Sequence, residues 1–181
     1  MKTTLEQLET GLALVLQSPK DIGTLEMIVR RPRVDERQTL EQGELSPTEG
    51  LIGDTWKQRG SNATQDGSAD ADRQITIINS RLIELVAGDR QFWPLAGDQL
   101  YIDLDLSTEN LPPGTQLAVG SVVLEVTAPP HRGCKKFAAR FGLEPLEFIS
   151  LPERKDLRLR GMHTRVVQPG SLCVGDLVYK K

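Results

Sequence analysis

Cys134 stands in the run Pro129-Pro130-His131-Arg132-Gly133-Cys134-Lys135-Lys136-Phe137, one of only two cysteines in the chain. His131 precedes it by three residues and two lysines follow directly. No acidic residue falls between His131 and Arg140, while Arg132, Lys135, Lys136 and Arg140 carry four positive charges. A thiol acts as nucleophile or metal ligand only as thiolate, and neighbouring cations favour that form. His131 is placed to serve as a general base or as the partner of a thiolate. The run Cys134–Phe141 has Phe137, Ala138 and Phe141 on one helical face, with Gly142 as its stop. Pro129, Pro130 and Gly133 bar that helix from extending far upstream. Cys134 is therefore expected at a helix N-terminus, where free N–H groups and the helix dipole favour an anion. The same spacing also allows Cys134 to be the first core residue of an amphipathic helix.

Stepping outward, the chain must supply elements that hold this segment in place. Its 181 residues fit one domain. Residues 4–17 carry leucines and a valine at helical spacing, and we expect a helical extension over 1–22 ahead of a domain over 23–181. Alternation predicts strands over 24–31 and roughly 34–45, joined around Pro32. A turn-rich stretch, 46–54, follows, and 60–72 (GSNATQDGSADAD) reads as a solvated loop. Residues 74–78 (QITII) read as a buried strand, with Asn79 or Ser80 capping a helix to about Ala87. Strands follow over 99–106, 117–119 and 121–126, then 163–168 and 172–179 around a turn at Pro169-Gly170. Many short strands with Gly/Pro turns and few, peripheral helices predict a mainly β fold. We expect a closed or nearly closed mixed or antiparallel barrel.

Composition excludes several classes. A net charge of −3 argues against a nucleic-acid-binding surface, so any anion site is a local basic cluster. No apolar run is long enough to span a membrane. The first residues lack a positive n-region and a small-residue cleavage site, so they are not expected to be a signal peptide. Two cysteines 39 positions apart do not make a disulfide framework. The expected location is the cytoplasm. With two histidines the chain cannot form a three-histidine zinc site. A zinc site from Cys134, His131 or His163, and Asp54 lacks compact ligand spacing.

Several motifs occur in a telling order: Gly50-Leu51-Ile52-Gly53-Asp54, Arg73 before Ile75–Ile78, Glu109-Asn110-Leu111, Val119–Val126, Cys134, Arg160-Gly161-Met162-His163-Thr164-Arg165-Val166, and Pro169-Gly170 with Val174-Gly175-Asp176. This order resembles the MOSC domain, the module named for the C-terminal domain of molybdenum cofactor sulfurases, over residues 24–180. The chain looks like a small stand-alone bacterial member. Where the family often has a Pro-Cys pair, Gly133 precedes Cys134; Thr55 follows Gly53-Asp54 and Thr108 precedes Glu109-Asn110.

The resemblance implies a β-barrel that binds molybdenum cofactor, with Cys134 as metal ligand or as carrier of sulfur. It implies that Lys135, Lys136 and Arg73 neutralise the cofactor phosphate and that Asp54 and Asn110 orient polar edges. Arg160 is a further candidate for an anionic pocket. Taken as residues alone, Asp54 and Asn110 could equally stabilise their own turns, Arg73 could pair with Asp54, and the lysines could lie on a solvated helix face. Cys173 is expected to pack. No pyridoxal phosphate or iron–sulfur cluster is expected in this chain. A separate electron donor or a cysteine desulfurase is therefore the expected protein partner. Three functions stay open: a cofactor protein acting in sulfur transfer or in reduction of N-hydroxylated compounds; a non-catalytic module for the cofactor or another small anion; and a cofactor-independent enzyme with Cys134 as nucleophile and His131 as base.

Overall fold

The computed structural model describes residues 3–181. Helix α1 (Leu5–Leu16) begins at a capping box: the Thr4 side chain accepts from the Gln7 amide, and the Gln7 side chain accepts from the Thr4 amide. Strand β1 (Ile22–Arg30) follows. The stretch expected to run as one strand over 34–45 instead divides into β2 (Gln38–Leu40) and β3 (Gln42–Ser46). Asp35, at a left-handed φ of 61°, turns the chain after β1, so pairing starts later than alternation alone suggests.

Next come β4 (Gly50–Leu51), the short helix α2 (Trp56–Arg59), an exposed loop, and β5 (Ile75–Asn79). Asn79 caps α3 (Ser80–Ala87) by accepting from the Leu82 amide. A 3-10 turn over Arg90–Ala96 leads to β6 (Leu100–Asp103), then β7 (Gln116–Val119) and β8 (Val122–Pro130). Two helices, α4 (Lys135–Phe141) and α5 (Leu143–Ser150), are separated only by Gly142. A 3-10 turn over Pro152–Leu157 precedes β9 (Met162–Gln168), β10 (Gly170–Cys173) and β11 (Leu177–Lys180).

Seven strands close a mixed barrel in the order β1-β11-β7-β8-β9-β5-β6 and back to β1, with β2 attached outside β1. All barrel pairs are antiparallel except β5 with β6. That parallel pair needs a crossover, which α3 and the following 3-10 turn provide. The small β10-β3-β4 sheet contributes Leu45, Leu51 and Leu172 to the interior cluster.

Alternation sorts the strand side chains into two cores. Ile28, Ile77, Leu100 and Ile102 point into the barrel. Val29, Ile78 and Tyr101 point outward, into a second cluster with Leu8 of α1, Leu82 of α3, and Phe137, Phe141 and Phe148 of α4 and α5. Because β5 is covered on both faces, every one of its residues is buried, Thr76 and Asn79 included. No helix among the described residues is long and apolar enough to cross a membrane.

Candidate functional site

Cys134 is the N-cap residue of α4 and is exposed, so the core face of that helix belongs to Phe137 and Phe141. The thiol lies on a cavity of about 500 Å³. Arg31, at the end of β1, Arg37, Arg59 at the end of α2, Arg73 before β5, Lys136 and Arg140 of α4, and Arg160 before β9 also line it. His131 and His163 complete this wall beside Thr76, which pairs in register with His163.

The charge is unbalanced. Seven cations meet Asp70 in the lining, Asp54 and Asp98 buried behind it, and Asp35 at Lys136 and Arg140, an excess of three. Asp54 accepts from Arg31 Nε and Nη2 at 2.8 Å each and from the amides of Arg31 and Trp56. Arg31 Nη1 donates to the Gly97 carbonyl. Asp98, fully buried, accepts from Arg160 Nη1 at 2.7 Å, and Arg160 Nη2 donates to the Ala96 carbonyl.

Other donors are unspent: Arg37 Nε and Arg160 Nε are buried without a partner. Burial, then the charges of Arg140 and Arg31, lower the Arg37 pKa; burial, then Arg31, lower that of Arg59. Guanidinium groups that disfavour one another's charge in this way form a site that an anion would relieve.

The two histidine rings lie against each other at a tilt of 46°, with centroids 4.6 Å apart. His163 Nδ1 lies 3.0 Å from the Pro129 carbonyl, which can only accept, so Nδ1 carries the proton and Nε2 is left as acceptor. Burial, aided by the Arg160, His163 and Arg31 charges, holds His131 well below its ordinary 6.5, and burial lowers His163 too. Both imidazoles are therefore neutral at neutral pH. His131 Nδ1 and Asp98 Oδ1 are 3.5 Å apart, and neither has a hydrogen-bond partner. Burial raises the Asp98 pKa, against the opposing pull of Arg160.

The structure thus gathers Cys134, His131, Arg73, Lys136 and Arg160 around one cavity. Arg73 pairs with Asp70 rather than Asp54, whose partner is Arg31. Asp54 stands behind the lining and positions Arg31. Lys135 is exposed and outside the lining. Asn110 lies elsewhere: its amide donates to the Lys20 and Asp105 carbonyls and its oxygen accepts from Lys180 Nζ. Cys173 is half-buried at the end of β10. Among the described residues no cluster of three or more His, Cys, Asp or Glu side chains could hold a metal ion unaided.

Arg31, Arg37, Arg59 and Asp98 have no motif of their own, whereas Arg140 belongs to the basic run around Cys134. The one local signal is Arg30-Arg31-Pro32, since a strand that stops at a proline leaves its last side chain at a barrel rim.

The comparisons with known proteins agree on the barrel fold. The MOSC domain family profile matches residues 64–179, more than half the chain, and the protein belongs to the MOSC domain family. Among solved structures it is similar to the YuaD protein from Bacillus subtilis, at 15% identity and a TM-score of 0.64, covering 87% of this chain and 94% of that one. It is also similar to YiiM from Escherichia coli, at 15% identity and a TM-score of 0.55, covering 87% of this chain and 69% of that one. For YiiM from Geobacillus stearothermophilus the figures are 14% and 0.57, covering 88% and 75%. At such identities the likeness is one of fold. No curated protein matches the chain.

Proposed function

We propose that this protein binds molybdenum cofactor in the cavity beside Cys134, with the cysteine thiolate as its soft ligand to the metal. The carrying observation is one cavity that combines an exposed thiol with an excess of three positive charges. The donor set suits the group. A thiolate matches a sulfur-ligated metal, and Arg37 Nε and Arg160 Nε are buried donors with nothing yet to bond, suited to anionic oxygens. Arg59, Arg73 and Lys136 would neutralise the phosphate. Asp54 would act through Arg31, by holding its guanidinium at the lining.

When bound, the cofactor supplies a redox-active metal. The chain's own part is to bind, to orient and to keep two neutral imidazoles beside the site, of which His163 presents Nε2 as a proton acceptor. The reaction class we favour is reduction of an N-hydroxylated compound, with electrons from a separate donor protein in the cytoplasm. The exposure of Cys134 favours a second reading, sulfur carriage, because a persulfide on that thiol would be accessible to a desulfurase and to an acceptor.

The test is to express wild type, Cys134→Ser and Arg73→Glu in a host that makes the cofactor, then measure molybdenum and oxidised-pterin fluorescence. We expect both species with the wild type, loss of molybdenum in Cys134→Ser and reduced pterin in Arg73→Glu. Folded wild type lacking both would overturn the proposal.

A further inference from the structure

A second cavity, of about 460 Å³, adjoins the first. His131 and Arg160 line both cavities and no other residue does. Its walls come from the end of β8, the end of α5, the 3-10 turn over Pro152–Leu157 and the start of β9. The volume lies in the range of about 300–1,000 Å³ that small organic molecules occupy.

The lining has two chemistries. Pro129, Pro130, Leu151, Pro152, Leu159 and Met162 give apolar faces, and the prolines contribute no N–H to be desolvated. Arg132 and Lys155 are exposed, and neither is in a salt bridge among the described residues. Asp156 is the lone acid in the lining.

Arg154 and Arg158, two further cations of the lining, are partly engaged. Arg154 binds Glu9 through both carboxylate oxygens and lies over the Phe148 ring. Arg158 donates to the Leu111 carbonyl at 2.7 Å. Arg158 also sits at φ 47°, a left-handed conformation a non-glycine residue adopts at a cost, and such residues gather at binding sites. Directly after Arg160, Gly161 lies so close to the Ile77 carbonyl that an added Cβ would stand 2.2 Å from its oxygen, which fixes this wall tightly against β5. At the shared wall, Arg160 Nε and His131 Nδ1 are buried and unpartnered. An apolar lining that also carries two cations outside any salt bridge among the described residues suits an amphipathic anion.

We propose that this cavity is a separate binding site for a small aromatic carboxylate, whose ring lies between the proline, leucine and methionine faces and whose carboxylate pairs with Arg132 and Lys155. The site does not depend on what occupies the cavity beside Cys134. Through His131 and Arg160, however, its ligand touches the same wall.

Naphthalene-2-carboxylate is the probe, titrated into the whole protein by calorimetry and by the two histidine C–H proton resonances, with naphthalene-2-carboxamide as neutral control. Saturable binding of the carboxylate is expected, with the His131 resonance moving. The amide and the Arg132→Glu/Lys155→Glu double variant should each bind about tenfold more weakly. Cys134→Ser and Arg73→Glu should stay within about twofold of wild type, as distant substitutions do. Both substituted cations are on the surface, so the double variant should keep the wild-type thermal midpoint. Absence of saturable binding overturns the proposal. So does equal affinity for amide and carboxylate together with an indifferent double variant. Loss of binding in Arg73→Glu would move the ligand to the other cavity and equally refute this site, whereas failure of cofactor loading alone would leave it standing.

Discussion

The Asp54–Arg31 pair offers the sharpest quantitative test of how the cavity is held. The Asp54 side chain is 0% exposed and that of Arg31 10%. Asp54→Ala removes four acceptor contacts at once: two to the guanidinium, one to the Arg31 amide and one to the Trp56 amide. Breaking a buried ion pair by removing one partner costs about 3–5 kcal/mol. Each orphaned amide could add about 1–3 kcal/mol where water cannot reach it. Arg31 lines a cavity, so water can reach part of the vacated space, and we expect a total near 4 kcal/mol, about 8–16 °C in midpoint for a chain of this size.

The assay is urea unfolding of wild type, Asp54→Ala, Arg31→Met and the double variant. If the cost is that of a stranded charge, Asp54→Ala should be far milder in the Arg31→Met background, with an interaction energy of about 2–3 kcal/mol. A cost below about 1 kcal/mol, or the same cost in both backgrounds, would refute the idea that Asp54 acts through Arg31.

Three further outcomes follow from the same geometry. His131 and His163, held below 6.5, stay neutral in the fold while the unfolded chain gains protons. Stability should therefore be complete above about 6.5 and fall as pH drops below it, by at most about 1.4 kcal/mol per pH unit for each histidine. Asp98, raised by burial, acts in the opposite sense, its contribution being present below its unfolded value of 3.8 and lost as pH rises. Urea unfolding of wild type and His131→Asn at about pH 7.5 and about pH 5.5 isolates the histidine share, and identical pH slopes would contradict it. Asn110→Ala should cost about 1–3 kcal/mol while leaving molybdenum and pterin content at the wild-type level, because Asn110 clasps Lys20, Asp105 and Lys180 away from the cavity. Gly133→Ala should cost no more than about 1 kcal/mol, because the new Cβ would stand 2.3 Å from Leu146 Cδ1, the free end of a side chain on α5 that can turn aside. A drop of more than about 8 °C in the thermal midpoint would show that Leu146 cannot turn aside.

The barrel was legible because strand alternation and Gly/Pro turns are local signals. So were α1, Asn79 as a cap, and Cys134 at the head of α4. Helix α5 escaped because Gly142 reads as a stop and Pro145 as a breaker, although Pro145 lies in the first turn, where a missing N–H costs nothing. The cationic wall was legible only in part. Arg73, Arg140 and Arg160 stood out in the sequence, whereas Arg31, Arg37 and Arg59 are scattered along the chain, and only barrel closure gathers them with the rest. The exchange of partners, Arg31 rather than Arg73 for Asp54, has the same origin: backbone bonding holds Thr55 to the Arg31 carbonyl at 3.0 Å, a long-range pairing that no sequence period reports.

Strand β11 has a consequence for how the molecule is born. It is hydrogen-bonded to β1 on one side and β7 on the other, so the barrel is closed by the last of its strands to leave the ribosome. At roughly 5–20 residues per second, the gap from Arg30 to Leu177 leaves the outer edge of β1 unpaired for about 7–30 s of every synthesis, and the gap from Val119 leaves that of β7 unpaired for about 3–12 s. Once β7 is made the nascent chain is an open sheet offering two sticky margins to its neighbours, and β11 acts as the latch.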